Sequence, residues 1–262
     1  MKPGPLSGLG ILVTRPAHQA TYLAQLIRQA GGNPVLFPAL EIVDLPDLQI
    51  LYGIIDRLDE FDIAIFISPN AVNKALNLIR GRRSLPKRLQ IAAIGKGSRV
   101  VLERLGVNQV IAPSQRFDSE ALLTMPQFEQ VKGKRIVIFR GDGGREVLGD
   151  ELVRRGAQIE YAECYRRQKP QADSGKLLYL WARGELNLVT VTSTDTLRNL
   201  FDLAGKLGQQ WLKKTPLFVP HERIGEAARS LGLEQVNITE TGDEGLLAGM
   251  LAWRSLHPLT QR

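Results

Sequence analysis

Cysteine and histidine are scarce in this chain, and their scarcity excludes several kinds of site. Cys164 is the single cysteine among 262 residues, so no internal disulfide and no cluster of thiolate metal ligands is possible. It lies in a strand-like segment with no histidine nearby, which is typical of a buried, unreactive thiol. His18, His221 and His257 are scattered without the spacing of metal ligands. We therefore expect no metal site and no catalytic cysteine.

Long apolar runs, a signal region and nucleotide-binding motifs are also lacking. No run approaches the roughly 20 apolar residues of a membrane-spanning helix, and the first residues carry no apolar signal region. We therefore expect a cytoplasmic protein without membrane contact. The glycine-rich segments IGKGSR and RGDGGRE match neither the P-loop nor the dinucleotide-binding pattern. No nucleophile elbow or Ser-His-Asp order is present, so the sequence predicts no cofactor and no acyl intermediate.

Basic residues outnumber acidic ones, giving a formal net charge of +7. There is no long basic run and no aromatic-rich binding motif, so we expect no nucleic-acid partner. Nucleic-acid binding driven by the charge is kept as a weaker alternative, and two other interpretations of the charge remain open. It is either a solvated basic surface or a positive cleft that concentrates a small polyanionic substrate.

The chain contains an internal repeat with an offset of about 125 residues. Arg15 falls on Arg140 and Gly31 on Gly156 when the two halves are aligned. The matching segments are 10–32 with 135–157, 62–79 with 187–204, 91–110 with 217–236, and 118–123 with 243–248. A diverged duplication explains this near-constant offset. Convergence on a generic strand-helix rhythm is the alternative.

Each half alternates short apolar runs with stretches of helical periodicity. ILVT, IAIFI, IVIF and LVTV are typical of buried strands, and Val72, Leu76 and Ile79 share one face of a helix. Tyr22, Leu23, Leu26 and Ile27 define such a face in an earlier helix. Buried strands alternating with helices predict an α/β fold of two similar domains, each a parallel sheet flanked by helices. Glycines predicted to end helices are Gly31, Gly106, Gly156 and Gly232.

Periodicity leaves two domain arrangements open. Two extended segments, 34–46 and 159–170, occupy matching places in the two halves. The chain either divides near Lys132 into two sequential domains, or these segments are crossing linkers that exchange the first strand-helix units.

Small and polar residues cluster where the predicted strands end. In parallel α/β sheets, ligands bind beyond these carboxyl ends, where loops lead into helix N-termini. Helix capping explains most such serines, threonines and asparagines. The functional interpretation is that several helix N-termini point into one cleft and receive carboxylate or phosphate groups.

These strand-end motifs resemble those of the uroporphyrinogen-III synthase family. GILVTRP, FISPNAV, IAAIGKGS and VTSTDTL occur in that family's order and spacing, and RGDGGREVLGDELVRRGA followed by CYRR is the most specific part. The resemblance covers nearly the whole chain. It implies two α/β domains joined by a pair of linker strands, which favours the swapped arrangement. One domain would then comprise 1–36 and 170–262, the other 45–158, and the linkers 37–44 and 159–169.

The resemblance also implies an activity in porphyrin and heme biosynthesis. The family cyclises hydroxymethylbilane, a linear tetrapyrrole with eight carboxylate side chains, to uroporphyrinogen III, with inversion of ring D and loss of water. This implies a cofactor-free, cyclising hydro-lyase whose inter-domain cleft acts by positioning and modest acid help. We expect hydroxymethylbilane as partner, transient contact with the upstream enzyme that forms it, and a monomer. The alternative is a non-catalytic module that binds a tetrapyrrole or another polyanion on the same scaffold.

The resemblance assigns roles to individual residues. Tyr165 matches the family's linker tyrosine and is predicted to donate a proton to the departing hydroxyl. Ile67 replaces a threonine common in front of the strand-end serine, and Lys96-Gly97 alters the loop before Ser98, a position where the family often has threonine. The predicted substrate-binding residues are Thr14, Arg15, Ser68, Asn70, Lys96, Ser98, Arg140, Ser193 and Thr194.

Overall fold

The computed structural model describes residues 4–114, 118–143 and 147–257. The chain forms two compact units: unit 1 combines the residues up to Glu41 with those from Gln168 onward, and unit 2 is Ile42–Arg167. The strands are β1 (Gly10–Val13), β2 (Asn33–Leu36), β3 (Glu41–Val43), β4 (Ile63–Phe66), β5 (Gln90–Ala93), β6 (Val110–Ile111), β7 (Arg135–Gly141), β8 (Gln158–Gln168), β9 (Leu188–Thr190), β10 (Leu217–Val219) and β11 (Val236–Ile238).

The helices connect these strands, and the last helix follows the last strand. They are α1 (Ala17–Gln29), α2 (Gln49–Asp56), α3 (Pro69–Arg82), α4 (Lys96–Arg104), α5 (Ser119–Leu123), α6 (Pro126–Glu129), α7 (Val147–Arg154), α8 (Gly175–Ala182), α9 (Thr194–Lys214), α10 (Glu222–Ser230) and α11 (Gly242–Leu256). A 3-10 turn at Leu58–Glu60 follows α2. Within the described ranges, no helix has both the length and the apolar content needed to cross a membrane.

Each sheet takes strands from both halves of the sequence. The strand order is β11-β10-β9-β1-β2 in unit 1 and β3-β8-β7-β4-β5-β6 in unit 2. Strand β1 lies beside β9, and β7, its counterpart in the repeat, lies beside β4, both in parallel. This confirms the predicted α/β class with parallel sheets. The first strand-helix unit of each half thus lies in the sheet formed by the rest of the other half, and this exchange is the swapped arrangement.

The strand register repeats the internal symmetry residue by residue. Ile11 of β1 faces Leu188 of β9, and Ile136 of β7 faces Ile63 of β4. The two pairs are equivalent, because Ile11 and Ile136 are 125 positions apart, and so are Ile63 and Leu188. Convergence on a generic rhythm would produce alternating strands and helices, but it would not pair equivalent residues in the two sheets. The register therefore favours a duplication over convergence.

Both sheets are buried on both faces, as parallel sheets require. In unit 2, Ile63 and Ile65 of β4 face one apolar cluster, while Ala64 and Phe66 face the other. The first cluster is covered by α5 to α7 and the second by α2 to α4. Phe66 stacks on Phe139 of β7 with ring centroids 4.8 Å apart.

The helix-level predictions were mostly confirmed, with one error. Gly31 and Gly156 follow α1 and α7 at φ angles of 86° and 88°, and Gly106 and Gly232 also have positive φ. The buried face predicted for α3 is confirmed, but Tyr22 of α1 is half exposed. Its hydroxyl donates to the Glu244 carboxylate at 2.8 Å, which raises the pKa of Tyr22 above its usual value. A polar partner from the far end of the chain therefore holds this ring outside the core.

Candidate active site

Two serines at the ends of equivalent strands act as helix caps. Ser68 follows β4, and its Oγ accepts a hydrogen bond from the Ala71 N–H at 3.1 Å, at the start of α3. Ser193 follows β9, and its Oγ accepts from the Thr196 N–H at 3.0 Å, at the start of α9. Each serine therefore has the ordinary N-cap role. Ser193 Oγ also lies 2.8 Å from Thr196 Oγ1 in its own helix, whereas the second contact of Ser68 is with a residue of another strand.

The second contact of Ser68 is with Tyr165. The Tyr165 hydroxyl lies 3.0 Å from Ser68 Oγ, and the tyrosine is only 4% exposed. Tyr165 lies in β8 opposite Gly141, the last residue of β7, just past a register shift between Arg140 and Gly141. The predicted proton donor and one predicted substrate-binding serine thus meet at the carboxyl edge of the unit 2 sheet.

Arg140 lies away from this pair, although the sequence predicted one common site. Its guanidinium is buried, donates to Glu163 Oε1 at 3.3 Å and stacks on the Tyr161 ring at 4.1 Å. Tyr161 packs on the cluster that contains Ile138, whereas Tyr165 belongs to the cluster on the opposite face of the sheet. Arg140 lines a separate cavity of about 290 Å³ within unit 2. Alternation along β7 puts Arg140 on the same face as Ile138. The register shift adds one residue to β8, and this puts Tyr165 on the opposite face from Tyr161.

Two predicted residues of unit 1 are held by partners within that unit. Thr14 is fully buried, and its hydroxyl donates to the Thr190 carbonyl at 2.7 Å, so this hydroxyl ties β1 to β9 instead of facing a ligand. Arg15 forms an ion pair with Asp243, at the start of α11. A carboxylate ligand at Arg15 therefore competes with an existing counter-ion.

The other predicted residues differ in how accessible they are. Lys96 is the exposed first residue of α4, and Ser98, also in α4, is buried. Asn70 lies partly exposed in the first turn of α3. Thr194 begins α9, and within the described ranges its Oγ1 is buried without a hydrogen-bond partner. Whether these side chains bind substrate stays a prediction.

Cys164 is buried, as the sequence predicted. Burial raises the pKa of its thiol to about 12, and Sγ donates to the Ala162 carbonyl at 3.2 Å. A thiol with this pKa supplies almost no thiolate at neutral pH. Among the residues that the structure describes, no three histidine, cysteine or acidic side chains are grouped so as to hold a metal ion.

Comparison with known proteins identifies the family. The family model described as "Uroporphyrinogen-III synthase HemD" matches residues 22–248. The uroporphyrinogen-III synthase of Escherichia coli is 32% identical over 241 residues, which cover 91% of this chain and 98% of the relative. That of Synechococcus elongatus is 31% identical over 97% of this chain and 98% of the relative. The chain belongs to the uroporphyrinogen-III synthase family.

Solved structures from the uroporphyrinogen-III synthase family share the fold. A mutant enzyme from Thermus thermophilus superimposes with a TM-score of 0.64 at 16% identity, over 94% of this chain and 98% of that one. The enzyme from Helicobacter pylori gives a TM-score of 0.58 at 13% identity, over 94% and 99%. At these identities the likeness concerns the fold alone.

Sequence reasoning did not single out one residue that the fold brings against Tyr165. The residue is Gly141, against which the Tyr165 ring packs. The register shift between β7 and β8 sets which residue of β7 faces the tyrosine. Register shifts of this kind have no mark in the hydrophobic pattern.

Proposed function

We propose that this chain is a cyclising hydro-lyase that converts hydroxymethylbilane to uroporphyrinogen III, with inversion of ring D, loss of water and no cofactor. The main support is that the family's linker tyrosine is present as Tyr165, with its hydroxyl 3.0 Å from Ser68 Oγ. Family membership over nine-tenths of the chain supports the same reaction.

The proposed reaction needs little acid-base chemistry. The terminal hydroxyl of the substrate takes up a proton and leaves as water, and the remaining azafulvene cation is attacked by the substituted carbon of ring D. The resulting spiro intermediate fragments and recloses with ring D inverted, releasing a proton from the ring carbon that forms the last bond. Because the free substrate closes unaided to the wrong isomer, the protein must mainly hold the folded chain in position.

A short chain of hydrogen bonds gives Tyr165 its proposed role. The Ala71 N–H donates to Ser68 Oγ, so the serine's own proton is available for the phenol oxygen 3.0 Å away. If Ser68 donates to Tyr165, the phenol proton is directed to the departing hydroxyl of the substrate. Hydrogen bonds arranged head to tail polarise one another, and the N-terminal dipole of α3 adds to the effect.

The carboxylates of the substrate need fixed positive or donor groups. We assign this role to the strand-end residues Asn70, Lys96, Ser98, Ser193 and Thr194, and to Arg15, where the substrate competes with Asp243. Arg140 has no part in it, because it lines a separate cavity on the other face of the unit 2 sheet from Tyr165. Donors already fixed by the fold bind an anion without first being reordered. The net charge of +7 favours approach of a substrate with eight carboxylates.

Substitutions at Ser68 separate its cap from its proposed donor role. Ser68→Ala removes both, and we expect kcat to fall about threefold to tenfold and the free energy of unfolding by about 1 kcal/mol. Ser68→Asp keeps a good cap, but a carboxylate only accepts, so it draws the phenol proton away from the substrate. The aspartate variant should therefore be as stable as the wild type, with kcat about tenfold lower.

The measurements are steady-state rates and urea unfolding of both variants, with Ser68→Thr as the conservative control. Threonine retains the hydroxyl and the cap, so its kcat should stay within about twofold of the wild type. A fully active aspartate variant would show that Ser68 only caps the helix.

A coupled assay tests the function itself. Hydroxymethylbilane is generated enzymatically, this protein is added, and the oxidised products are separated into uroporphyrin isomers. We expect predominantly isomer III without any added cofactor. Isomer I alone, from protein shown to be folded, would instead indicate a binding module, and titration with tetrapyrroles would then follow.

A further inference from the structure

We infer that Gly141 is a positioning residue for Tyr165: the absence of a side chain at this position lets the phenol ring lie where its hydroxyl reaches Ser68. The inference rests on the proposed function, because it gives Gly141 a role only through the proton donated by Tyr165.

The ring of Tyr165 lies directly against the backbone of Gly141. A Cβ atom built on Gly141 would be 2.6 Å from Cε2, 2.7 Å from Cζ and 3.1 Å from the hydroxyl oxygen of Tyr165. Carbon atoms in van der Waals contact lie about 3.5 to 4.0 Å apart. Any side chain at position 141 must therefore displace the end of the ring that carries the hydroxyl.

The backbone on both sides of this contact is fixed, so the ring itself has to move. The register shift places Gly141 opposite Tyr165, after Arg140 opposite Glu163, which leaves Cys164 as the extra residue of β8. The Asp142 N–H donates to the Tyr165 carbonyl at 2.8 Å. The Arg167 N–H in turn donates to Asp142 Oδ1 at 3.2 Å.

A displaced ring breaks the contact on which the proposed acid depends. The Tyr165 hydroxyl is 3.0 Å from Ser68 Oγ, and hydrogen bonds weaken steeply once the distance exceeds about 3.5 Å. A misplacement of about 1 Å at a reacting group costs up to 100-fold in rate. The methyl group added by Gly141→Ala is therefore expected to lower kcat by displacing the Tyr165 hydroxyl.

The test is a double-mutant cycle between positions 141 and 165. We expect Gly141→Ala to lower kcat by about tenfold with KM changed less than about twofold. In a Tyr165→Phe background the same substitution should change kcat by less than about twofold, because no hydroxyl remains to be misplaced. The control is Gly53→Ala in α2, where an added Cβ meets nothing within 4 Å and kcat should be unchanged.

Stability measurements keep the inference testable if Gly141→Ala folds poorly. In a Tyr165→Ala background the ring is gone, so adding Gly141→Ala should no longer lower the urea midpoint or prevent folding. The inference would be overturned if Gly141→Ala lowered kcat equally in the wild-type and Tyr165→Phe backgrounds, or lowered stability equally in the wild-type and Tyr165→Ala backgrounds. A Gly141→Ala enzyme of wild-type rate would overturn it as well. A wild-type protein that forms only isomer I would refute the proposed function instead, and the two failures are therefore distinct.

Discussion

Tyr165→Phe is expected to lower kcat for formation of isomer III by one to two orders of magnitude, roughly what the loss of a positioned proton donor costs. The phenylalanine ring fills the same space against Gly141, so packing and substrate binding are retained while the hydroxyl near Ser68 is removed. KM should therefore change much less than kcat, since the interaction lost is made mainly in the transition state.

The product ratio offers a second measurement on the same variant. Hydroxymethylbilane that waits longer on a slowed enzyme, or is released from it, closes spontaneously to isomer I. The fraction of isomer I should consequently rise as enzyme concentration is lowered, and more steeply for Tyr165→Phe than for the wild type.

Tyr52→Phe is the matched control for this prediction. Tyr52 lies in α2 of the same unit, and the Arg82 guanidinium stacks over its ring, a contact that phenylalanine keeps. Loss of a tyrosine hydroxyl as such should thus leave kcat unchanged at position 52. An unchanged rate for Tyr165→Phe would remove Tyr165 from its role and leave positioning by the strand-end donors as the whole of catalysis.

The fold was predictable because its signal is local and is repeated. Runs such as IAIF and IVIF are short, apolar and bounded by polar turns, and they form β4 and the body of β7. The offset of 125 residues indicates from the sequence alone which strands are equivalent. Glycines at helix ends, such as Gly31 and Gly156, follow from the left-handed backbone that this position needs.

The side-chain partners of the site were not predictable, because they come from distant parts of the chain. Thr14 meets Thr190, and Arg15 meets Asp243, each across more than 170 residues. Periodicity identifies a polar residue at a strand end but gives neither its partner nor the face it occupies. Arg140 shows the consequence, because its position in the motif suggested a shared site with Tyr165. The pleat of β7 puts Arg140 on the face of Ile138, and the extra residue of β8 puts Tyr165 on the other face.

Phe139→Ala has the largest expected effect on stability. Phe139 and Phe66 are fully buried and stacked with their ring planes 11° apart, between the two strands that lead to Gly141 and Ser68. Removing a buried phenylalanine ring costs about 3 to 5 kcal/mol through lost burial and the cavity that remains. Urea unfolding should show this loss as a lower midpoint, with Phe139→Leu losing distinctly less because leucine refills much of the space.

Measuring kcat for Phe139→Ala tells whether a loss of sheet stability also affects the reaction at the sheet's carboxyl edge. The Ile67 N–H donates to the Phe139 carbonyl at 3.3 Å, so the backbone also joins β4 and β7 there, in addition to the stacked rings. In conditions where Phe139→Ala remains folded, its kcat should therefore stay within about threefold of the wild type, far above that of Tyr165→Phe. A loss of rate as large as that of Tyr165→Phe would mean that the stacked rings hold the hydroxyl pair in place, and that β4 and β7 without them do not.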